Sequence, residues 1–496
     1  MHKLKKFCLN LLFIVILSTI FVVPANAAEE GYFDYINSVF EMVQDRYYED
    51  VPEEELLKGA LRGIFDSMDD YTVFYDLDEA DAFFNSVEAN YQGIGVELME
   101  VTEGALVTRV FSDSPAEGAG IVANDIIVSV DDKDVQGFSI QDIANLIKGE
   151  IGSFVKLGVV RKNSADILVF NIERAVVNIS PVTWWVTNDI MYIKLDSFSS
   201  KSSNFLKQAL EEADNRSIKK IILDLRNNLG GEVGQAVEIA RQLVHEGIIT
   251  TLDFKSEETA DVVYKSYNEN PKYLTAVLVN NNSASASEIL ASAIQDSRDG
   301  FLVGAQTYGK GVFQNVFPIL KPSAYERYKA KYGKDIVDGY EWMQKHDVQI
   351  YQADLIGWTK ITTGHYLTRN GKMIHGIGLT PDFAVEDYEL VAGLDINAIK
   401  PLSSSATVEL NGVGNDVYNA ERILKIKGYE IENIDNILDE KTCDELQKYQ
   451  HEKGISVTGT LDEETKNHLN VELQQLRIEI DRPYAKAIEL LDLLKR

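Results

Sequence analysis

Two spacings of apolar residues alternate through the centre of the chain. Nearly continuous apolar runs, which are typical of buried strands, lie at 189–195, 219–225 and 273–279. Apolar residues recur every three to four positions, as on one face of a helix, at 204–213, 233–244 and 288–294. The alternation predicts an α/β domain in which strands are followed by helices.

The segment between residues 91 and 175 has a different pattern. A helix-like stretch at 140–147 lies among short β-like runs separated by turns. The runs are at 95–99, 105–110, 125–130, 154–161 and 167–172. This pattern predicts a small, strand-rich domain ahead of the α/β domain.

A helical region at 28–90 precedes the strand-rich domain. Pro52 followed by three glutamates marks a helix start, since proline and acidic residues favour the first turn. The face predicted to be buried consists of Leu56, Leu57, Ala60, Leu61, Ile64, Phe65 and Met68. Such a face either packs on a core of its own or joins two copies of the chain, and we expect a homodimer.

Helical spacing returns after a linker at 393–409 that contains three consecutive serines. Residues 410–472 form one helical region, and the tail at 473–496 carries Tyr484, Ala487 and Leu491 at helical spacing. We expect this tail to be packed rather than free.

The first 27 residues have the pattern of a signal peptide. A basic start is followed by an apolar run at 9–23 and by Ala25-Asn26-Ala27, a small-x-small cleavage site. Export is therefore expected, although the run approaches the length of an uncleaved membrane anchor. Cys8 lies in this leader, so Cys443 alone remains afterwards and an intrachain disulfide is excluded.

Charge narrows the range of partners. The formal net charge is −30, and it becomes about −33 without the three leader lysines. Such a field disfavours nucleic acid and anionic membrane surfaces.

A serine-rich turn provides the first candidate chemistry. Ser283, Ser285 and Ser287 lie between a predicted strand and a predicted helix, where helix-start amides can stabilise an oxyanion. Alone, the run fits a capping connection better than an active site. Lys310 between two glycines strengthens the catalytic interpretation, and an amide of Gly230-Gly231 could supply a second oxyanion donor. A nucleotide loop is disfavoured there, because the Lys-Ser/Thr of a P-loop is missing.

Together these motifs resemble the C-terminal processing peptidases, also called tail-specific proteases, of the serine–lysine type. The resemblance runs from about residue 32 to 391. It is carried by Asp224-Leu225-Arg226-Asn227-Asn228-x-Gly230-Gly231, Ser283-Ala284-Ser285-Ala286-Ser287-Glu288-Ile289, Tyr308-Gly309-Lys310-Gly311 and Ile374-His375-Gly376-Ile377-Gly378. The segment at 91–175 resembles a PDZ domain, and the one at 410–472 resembles the three-helix peptidoglycan-binding module of cell-wall enzymes.

The resemblance implies a role for individual residues. Ser285 would be the nucleophile, Lys310 the general base and Gln314 the residue that orients the lysine amine. Ala286 N–H and an N–H of Gly230 or Gly231 would form the oxyanion hole. In the PDZ-like segment, Gly93, Ile94, Gly95 and Val96 would receive a peptide's C-terminal carboxylate, after which the peptide adds as a strand.

The chemistry explains why such a lysine needs small, uncharged neighbours. A lysine accepts a proton from serine only when it is itself neutral. Bringing a lysine pKa from ~10.4 to ~7.5 costs roughly 4 kcal/mol. Glutamine suits the positioning role, because a carboxylate there would raise the pKa.

Alternatives remain open at three points. His365 or His375 with Asp382 could be imagined as part of a histidine triad, and no His-Glu-x-x-His motif indicates a metal site. An insertion at 321–356 departs from the family pattern and is expected to be a helical surface elaboration or a lid. A non-catalytic, wall-anchored PDZ scaffold is the alternative function.

The predicted architecture is a multidomain α/β chain without a cofactor. It comprises a signal peptide at 1–27, a helical arm at 28–90, a PDZ β-sandwich-like domain at 91–175, a ClpP/crotonase-like serine protease core at 176–392, a linker at 393–409, a peptidoglycan-binding-like module at 410–472 and a terminal helix at 473–496. Peptides with a free C-terminus, and also peptidoglycan, are the expected partners.

Overall fold

The computed structural model describes residues 30–87, 90–101, 103–111, 114–122, 125–161, 167–178, 180–403, 407–412 and 414–494. The predicted leader at 1–27 lies outside these residues. The chain divides into two compact units, Met1–Asp76 with Phe317–Lys360 and Leu77–Val316 with Ile361–Arg496. Among the described residues, no helix combines the length and hydropathy needed to cross a membrane.

The first unit begins with helices α1 (Glu30–Arg46) and α2 (Glu53–Asp66) and strand β1 (Val73–Tyr75). β1 pairs antiparallel with residues 358–360 of strand β18 (Leu355–Leu367). Phe65 of α2 stacks on Phe74 of β1, with ring centroids 6.2 Å apart. This contact packs helix α2 against strand β1 within the first unit.

The predicted buried face of α2 is only half-buried among the residues that the structure describes. None of the residues of α2 is fully buried, and Ile64 and Met68 are 53% and 56% exposed. On α1, Tyr35 and Ile36 are also exposed. The periodicity correctly predicted helices, but periodicity does not show what covers an apolar face.

The insertion at 321–356 is helical, as predicted, and has a small aromatic core. It contains α9 (Pro322–Tyr332) and α10 (Gly339–His346). Trp342 of α10 is fully buried, and its ring lies 5.6 Å from that of Tyr328 and 5.4 Å from that of Tyr332. Its role as a lid stays a prediction.

The second unit starts with helix α3 (Leu77–Val87) and the strand-rich domain. A separate pair of strands, β2 (Asn90–Gly93) and β9 (Ala175–Asn178), frames that domain. Its sheet has the order β3-β4-β5-β7-β8, with β6 beside β5, so β3 is an edge strand. The elements are β3 (Val96–Val101), β4 (Gly104–Val110), α4 (Pro115–Ala119), β5 (Ile126–Val130), β6 (Lys133–Asp134), α5 (Ile140–Ile147), β7 (Phe154–Val160) and β8 (Leu168–Glu173).

The α/β domain is built on a sheet of order β10-β11-β12-β15-β16-β19. Its strands from β11 to β19 are parallel, and β10 is antiparallel to β11. The elements are β10 (Val182–Thr187), β11 (Ile190–Leu195), α6 (Ser202–Asn215), β12 (Lys220–Asp224), α7 (Val233–Leu243), β15 (Leu274–Val279), α8 (Ala286–Ser297), β16 (Gly300–Gly304) and β19 (Phe383–Ala384). The predicted alternation is confirmed.

Three further strands belong to a different sheet, together with β1 and β18. β13 (Gly247–Phe254) pairs antiparallel with β14 (Val262–Ser266) and with residues 364–367 of β18. β17 (Val312–Leu320) pairs with β18. The polar loops that follow β12, β15 and β16 lie at the carboxyl ends of parallel strands, where α/β folds usually place their sites.

The C-terminal region forms a helical module and a docked tail. Helices α11 (Asn415–Ile426), α12 (Glu440–Lys453) and α13 (Glu463–Ile480) surround a core that includes Tyr449 and Leu469. The tail is helix α14 (Arg482–Leu493), and its Tyr484, Ala487 and Leu491 are buried against the central sheet. The tail is packed, as predicted.

Candidate active site

Ser285 lies at a sharp turn from β15 into α8. Its backbone has φ 57° and ψ −116°, a conformation that L-residues rarely adopt. The strain is held in place because α8 is almost completely buried. Strained serines at strand-to-helix turns are a feature of hydrolases, since the turn exposes the hydroxyl above the sheet.

The three serines of the turn differ in their surroundings. Ser283 and Ser287 are both fully buried, and each donates its hydroxyl to a carbonyl, that of Leu225 at 2.8 Å and that of Asn228 at 2.9 Å respectively. Ser285 is only partly buried. Of the three hydroxyls, therefore, those of Ser283 and Ser287 tie the turn to the loop after β12.

That loop lies directly against the turn. The Asn228 carbonyl accepts from Ala284 N–H at 3.1 Å. A Cβ on Gly230 would lie 2.9 Å from Ser285 Cβ and 3.0 Å from Ala286 N, and Gly230 has φ +103°. Glycine is therefore required at this contact, because a side chain would displace the turn.

The two glycine amides have different partners. Gly230 N–H donates to Asn228 Oδ1 at 2.9 Å. Among the described residues, neither Gly231 N–H nor Ala286 N–H has an acceptor, and Ala286 is the first residue of α8. Of these three amides, therefore, only that of Gly230 has a hydrogen-bond acceptor among the residues that the structure describes.

Glu288 joins the serine turn to the lysine loop. This fully buried carboxylate accepts from Ser285 N–H at 2.9 Å and from Lys310 N–H at 2.9 Å through Oε2. Its Oε1 accepts from Gly309 N–H at 2.8 Å and from the Thr307 hydroxyl. Charge-assisted hydrogen bonds of this kind compensate the burial of a carboxylate and fix the two loops relative to each other.

Tyr366 of β18 adds a second connection. Its buried hydroxyl lies 2.5 Å from the Lys310 carbonyl, 3.2 Å from the Ser285 carbonyl and 3.3 Å from Glu288 Oε2. Sequence reasoning did not single out Tyr366 or Glu288. For Glu288 a signal was available, because Ser285-x-x-Glu288 has the spacing of a capping box.

Lys310 and Gln314 lie on consecutive elements beyond the serine turn. Lys310 is partly buried in the loop before β17. Gln314 is on β17 and donates from Nε2 to Thr362 Oγ1 at 3.1 Å. A carboxylate does contact the lysine loop, contrary to the expectation of uncharged neighbours, but the contact of Glu288 is with the Lys310 main-chain amide.

His375 and Asp382, two of the residues considered for a histidine triad, lie among structural hydrogen bonds. His375 is exposed in a tight turn whose Gly376 N–H donates to the Gly309 carbonyl at 2.8 Å. Asp382 accepts from Leu302 N–H at 2.8 Å, so its carboxylate serves the sheet. Among the described residues, no cluster of three or more metal-ligating side chains could hold a metal ion.

The predicted peptide-binding residues lie at the start of the edge strand β3. Gly93 ends β2, Ile94 is buried, and Val96 begins β3. Gly95 has φ +82°, and a Cβ there would lie 2.4 Å from Ser114 Cβ. An edge strand beside a helix, here β3 and α5, is the arrangement to which a peptide adds as a further strand.

Comparison with known proteins supports a serine-type peptidase with a PDZ domain. Residues 189–385 match the model of peptidase family S41, and residues 106–161 match a PDZ domain. Residues 413–469 match a putative peptidoglycan binding domain, and residues 23–79 match the activating protease CtpB N-terminal domain. The chain therefore carries a peptidase family S41 domain, a PDZ domain and a putative peptidoglycan binding domain, in the order that its motifs predicted.

Relatives span nearly the whole chain. The carboxy-terminal processing protease CtpA of Bacillus subtilis is 28% identical over 485 residues, which cover 97% of this chain and 94% of that protein. A probable CtpA-like serine protease of Staphylococcus epidermidis is 25% identical, covering 100% of this chain and 94% of its own. Among solved structures, the photosystem II D1 C-terminal processing protease is 25% identical, with a TM-score of 0.39 and coverage of 72% of this chain and 87% of its own.

Proposed function

We propose that this protein is an exported serine endopeptidase that uses a dyad of Ser285 and Lys310. The observation that carries the proposal is the double attachment of Glu288 to Ser285 N–H and Lys310 N–H, which joins the two loops. The strained conformation of Ser285 at the start of α8 supports its role as the nucleophile.

The reaction follows from these roles. Neutral Lys310 takes the proton from Ser285 Oγ as this oxygen attacks the peptide carbonyl carbon. The amides of Ala286 and Gly231 receive the oxyanion, and lysine then transfers the proton to the departing amine. Water hydrolyses the acyl-enzyme by the same sequence, with lysine again accepting and returning a proton. Gln314, held by Thr362, would present its carbonyl oxygen to the Lys310 amine.

The choice of Gly231 refines the oxyanion proposal. The sequence left Gly230 and Gly231 as equal alternatives. Gly230 N–H already donates to Asn228 Oδ1, which favours Gly231 as the second donor. The positive end of α8 adds to the stabilisation of a negative oxygen.

Substrate selection is assigned to the PDZ domain. The residues 93–96 would hold the substrate's C-terminal carboxylate, and the edge strand β3 would pair with the preceding residues. A peptide and its C-terminal amide, compared by calorimetry, test this role. Equal affinity for the two would contradict it.

Location and assembly complete the proposal. The leader directs export, and the module over residues 413–469 supports binding to peptidoglycan at the cell wall. The exposed apolar residues of α1 and α2 support a homodimer through the N-terminal arm. Light scattering should show dimers for the wild type and monomers for Ile36→Glu combined with Ile64→Glu. Sedimentation with purified sacculi, before and after removal of residues 410–472, tests wall binding.

The decisive experiment measures hydrolysis of β-casein and of an apolar-tailed peptide by the full chain from residue 28. Ser285→Ala and Lys310→Ala should each abolish turnover, while Lys372→Ala, an exposed lysine, should leave it unchanged. Turnover that survives the first two substitutions refutes the dyad. Absence of turnover in the wild type, with peptide binding retained, favours the non-catalytic PDZ scaffold.

A further inference from the structure

Arg226 is buried in the loop that carries the oxyanion glycines. It is 5% exposed and follows β12 by two residues. Its Nε and Nη2 donate to Asp224, the latter at 2.6 Å. Its Nη1 and Nη2 donate to Asp481 at 2.9 and 2.8 Å, and Nη1 also donates to Asp387 at 3.3 Å. All five N–H groups of the guanidinium therefore have acceptors.

Asp481 belongs to the C-terminal tail, far from Arg226 in the sequence. It is fully buried and caps α14, accepting from Tyr484 N–H at 3.0 Å. Asn397 Nδ2 donates to its other oxygen. With Arg226, these contacts fix the carboxylate from three directions, so it forms a rigid anchor for the guanidinium.

A second set of hydrogen bonds continues from Arg226 to the serine turn. Asp387 Oδ1 accepts from Arg226, and its Oδ2 accepts from Asn280 Nδ2 at 3.0 Å. Asn280 Oδ1 accepts from Asn227 N–H at 3.0 Å, and Asn280 N–H donates to Ser283 Oγ at 3.0 Å. The two loops that contain the oxyanion amides are thus tied together on the side that faces the tail.

The charges favour this arrangement. Burial disfavours the cation, but the carboxylates of Asp224 and Asp481 outweigh burial and raise the pKa of Arg226. The Arg226 guanidinium also lies over the face of the Tyr388 ring, with 5.4 Å between Cζ and the ring centroid. Removal of the Asp481 charge would leave the buried Arg226 cation without one of the two carboxylates that outweigh its burial.

We infer that Asp481 is a positioning residue for catalysis, through which the C-terminal helix α14 sets the oxyanion loop at residues 226–231. This inference rests on the proposed function. The tail would act on the transition state, because the amides of the loop bind only the developing oxyanion. The substrate's C-terminus is bound elsewhere, so its binding would not depend on the tail.

The test compares Asp481→Asn with Asp492→Asn in the full-length protein. The asparagine introduced by the first substitution still caps a helix but lacks the charge for Arg226. Asp492 is on the same helix, α14, and its side chain is exposed. It forms an ion pair at 2.8 Å with Lys220 of β12, so it also connects the helix to the central sheet. For Asp481→Asn we expect kcat to fall about tenfold to hundredfold, with KM within about twofold. Affinity for a peptide boronic acid, which forms a tetrahedral adduct, should fall in parallel, while Asp492→Asn stays within about twofold in both.

A second variant and a second measurement keep the test decisive if Asp481→Asn disturbs folding. Asp387, whose side chain is 36% exposed, can be changed to asparagine at little risk to folding, and kcat should again fall while KM is kept. Hydrogen exchange of the amides at 226–231 should accelerate in Asp481→Asn and Asp387→Asn but not in Asp492→Asn. Unchanged exchange, or wild-type kcat in both variants, overturns the inference. If the wild type cleaves no substrate, the proposed function is contradicted. The exchange measurements still show whether Asp481 sets the loop at 226–231, because they do not depend on activity.

Discussion

The buried carboxylate of Glu288 accepts the main-chain N–H of Lys310 at 2.9 Å, and the same oxygen accepts Ser285 N–H. The separation of the two proposed catalytic residues is therefore set through their backbones. A flexible lysine side chain is placed by fixing its origin, which reduces the freedom that it must lose in the transition state.

Glu288→Gln should separate this positioning from simple filling of space. The amide NH₂ would face N–H and O–H donors, so kcat should fall by about 10²-fold and stability by about 1–3 kcal/mol. Peptide turnover and denaturant unfolding measure the two effects. Glu257→Gln, an exposed position, is the control and should change neither. Wild-type kcat in a folded Glu288→Gln protein would contradict the positioning role.

Ser283, Ser285 and Ser287 should respond differently to replacement by alanine. Ser285→Ala should lose turnover at nearly unchanged stability, since its hydroxyl is the proposed nucleophile. Ser283→Ala and Ser287→Ala should retain turnover but lose about 1–2 kcal/mol of stability, because each removes a buried hydrogen bond from the hydroxyl to a carbonyl. Turnover and thermal unfolding of the three variants make the comparison. Loss of turnover in Ser283→Ala alone would show that the nucleophile is assigned to the wrong serine.

Gly230→Ala should disable the site by sterics. The new Cβ would lie 2.8 Å from the Ala284 carbonyl and 2.9 Å from Ser285 Cβ, at φ +103°. We expect at least a ~100-fold loss of kcat/KM and about 1–3 kcal/mol of destabilisation. Gly234→Ala in α7 is the matched control, since nothing lies within 4 Å of its Cβ. It should leave activity intact and stabilise the helix by up to ~1 kcal/mol.

Glu421 should make the C-terminal module pH-dependent. Burial, with the nearby charge of Asp435, raises its pKa to about 8, and the N–H groups of Asp435 and Asn436 only partly compensate. Asp439 also opposes ionisation. Because folding raises the pKa of Glu421, protonation of this carboxyl stabilises the folded module. Its contribution to the free energy of unfolding is at its full value below the ordinary glutamate pKa. It is lost as the pH rises from there through about 8.

Glu421→Gln should remove that loss. At pH 8–9 the variant should be more stable than the wild type by a few kcal/mol, on the order of the pKa shift multiplied by 1.4 kcal/mol per unit. Thermal midpoints between pH 5 and 9 provide the measurement. Glu409→Gln, an exposed position of the same region, should follow the wild type. Parallel curves for Glu421→Gln and the wild type would refute the burial argument.

Local patterns in the sequence determined most of the elements. The helix predicted at 140–147 has those bounds, and the apolar run at 273–279 is β15 within one residue. These succeeded because helix and strand periodicities depend on residues a few positions apart. The spacing of serine, lysine and the glycine pair also indicated a peptidase of this kind, in agreement with the match of residues 189–385 to peptidase family S41, since motif order is a property of the chain itself.

Tertiary structure alone decided which groups meet across long separations. It distinguished the partly exposed, strained Ser285 from its two buried neighbours, and it brought Asp481 to Arg226, 255 positions away. It also showed that the apolar face of α2 is incompletely buried in the part of the chain that the structure describes. Periodicity gives the direction of a side chain from its own element, whereas burial and charge pairing depend on which other element arrives there.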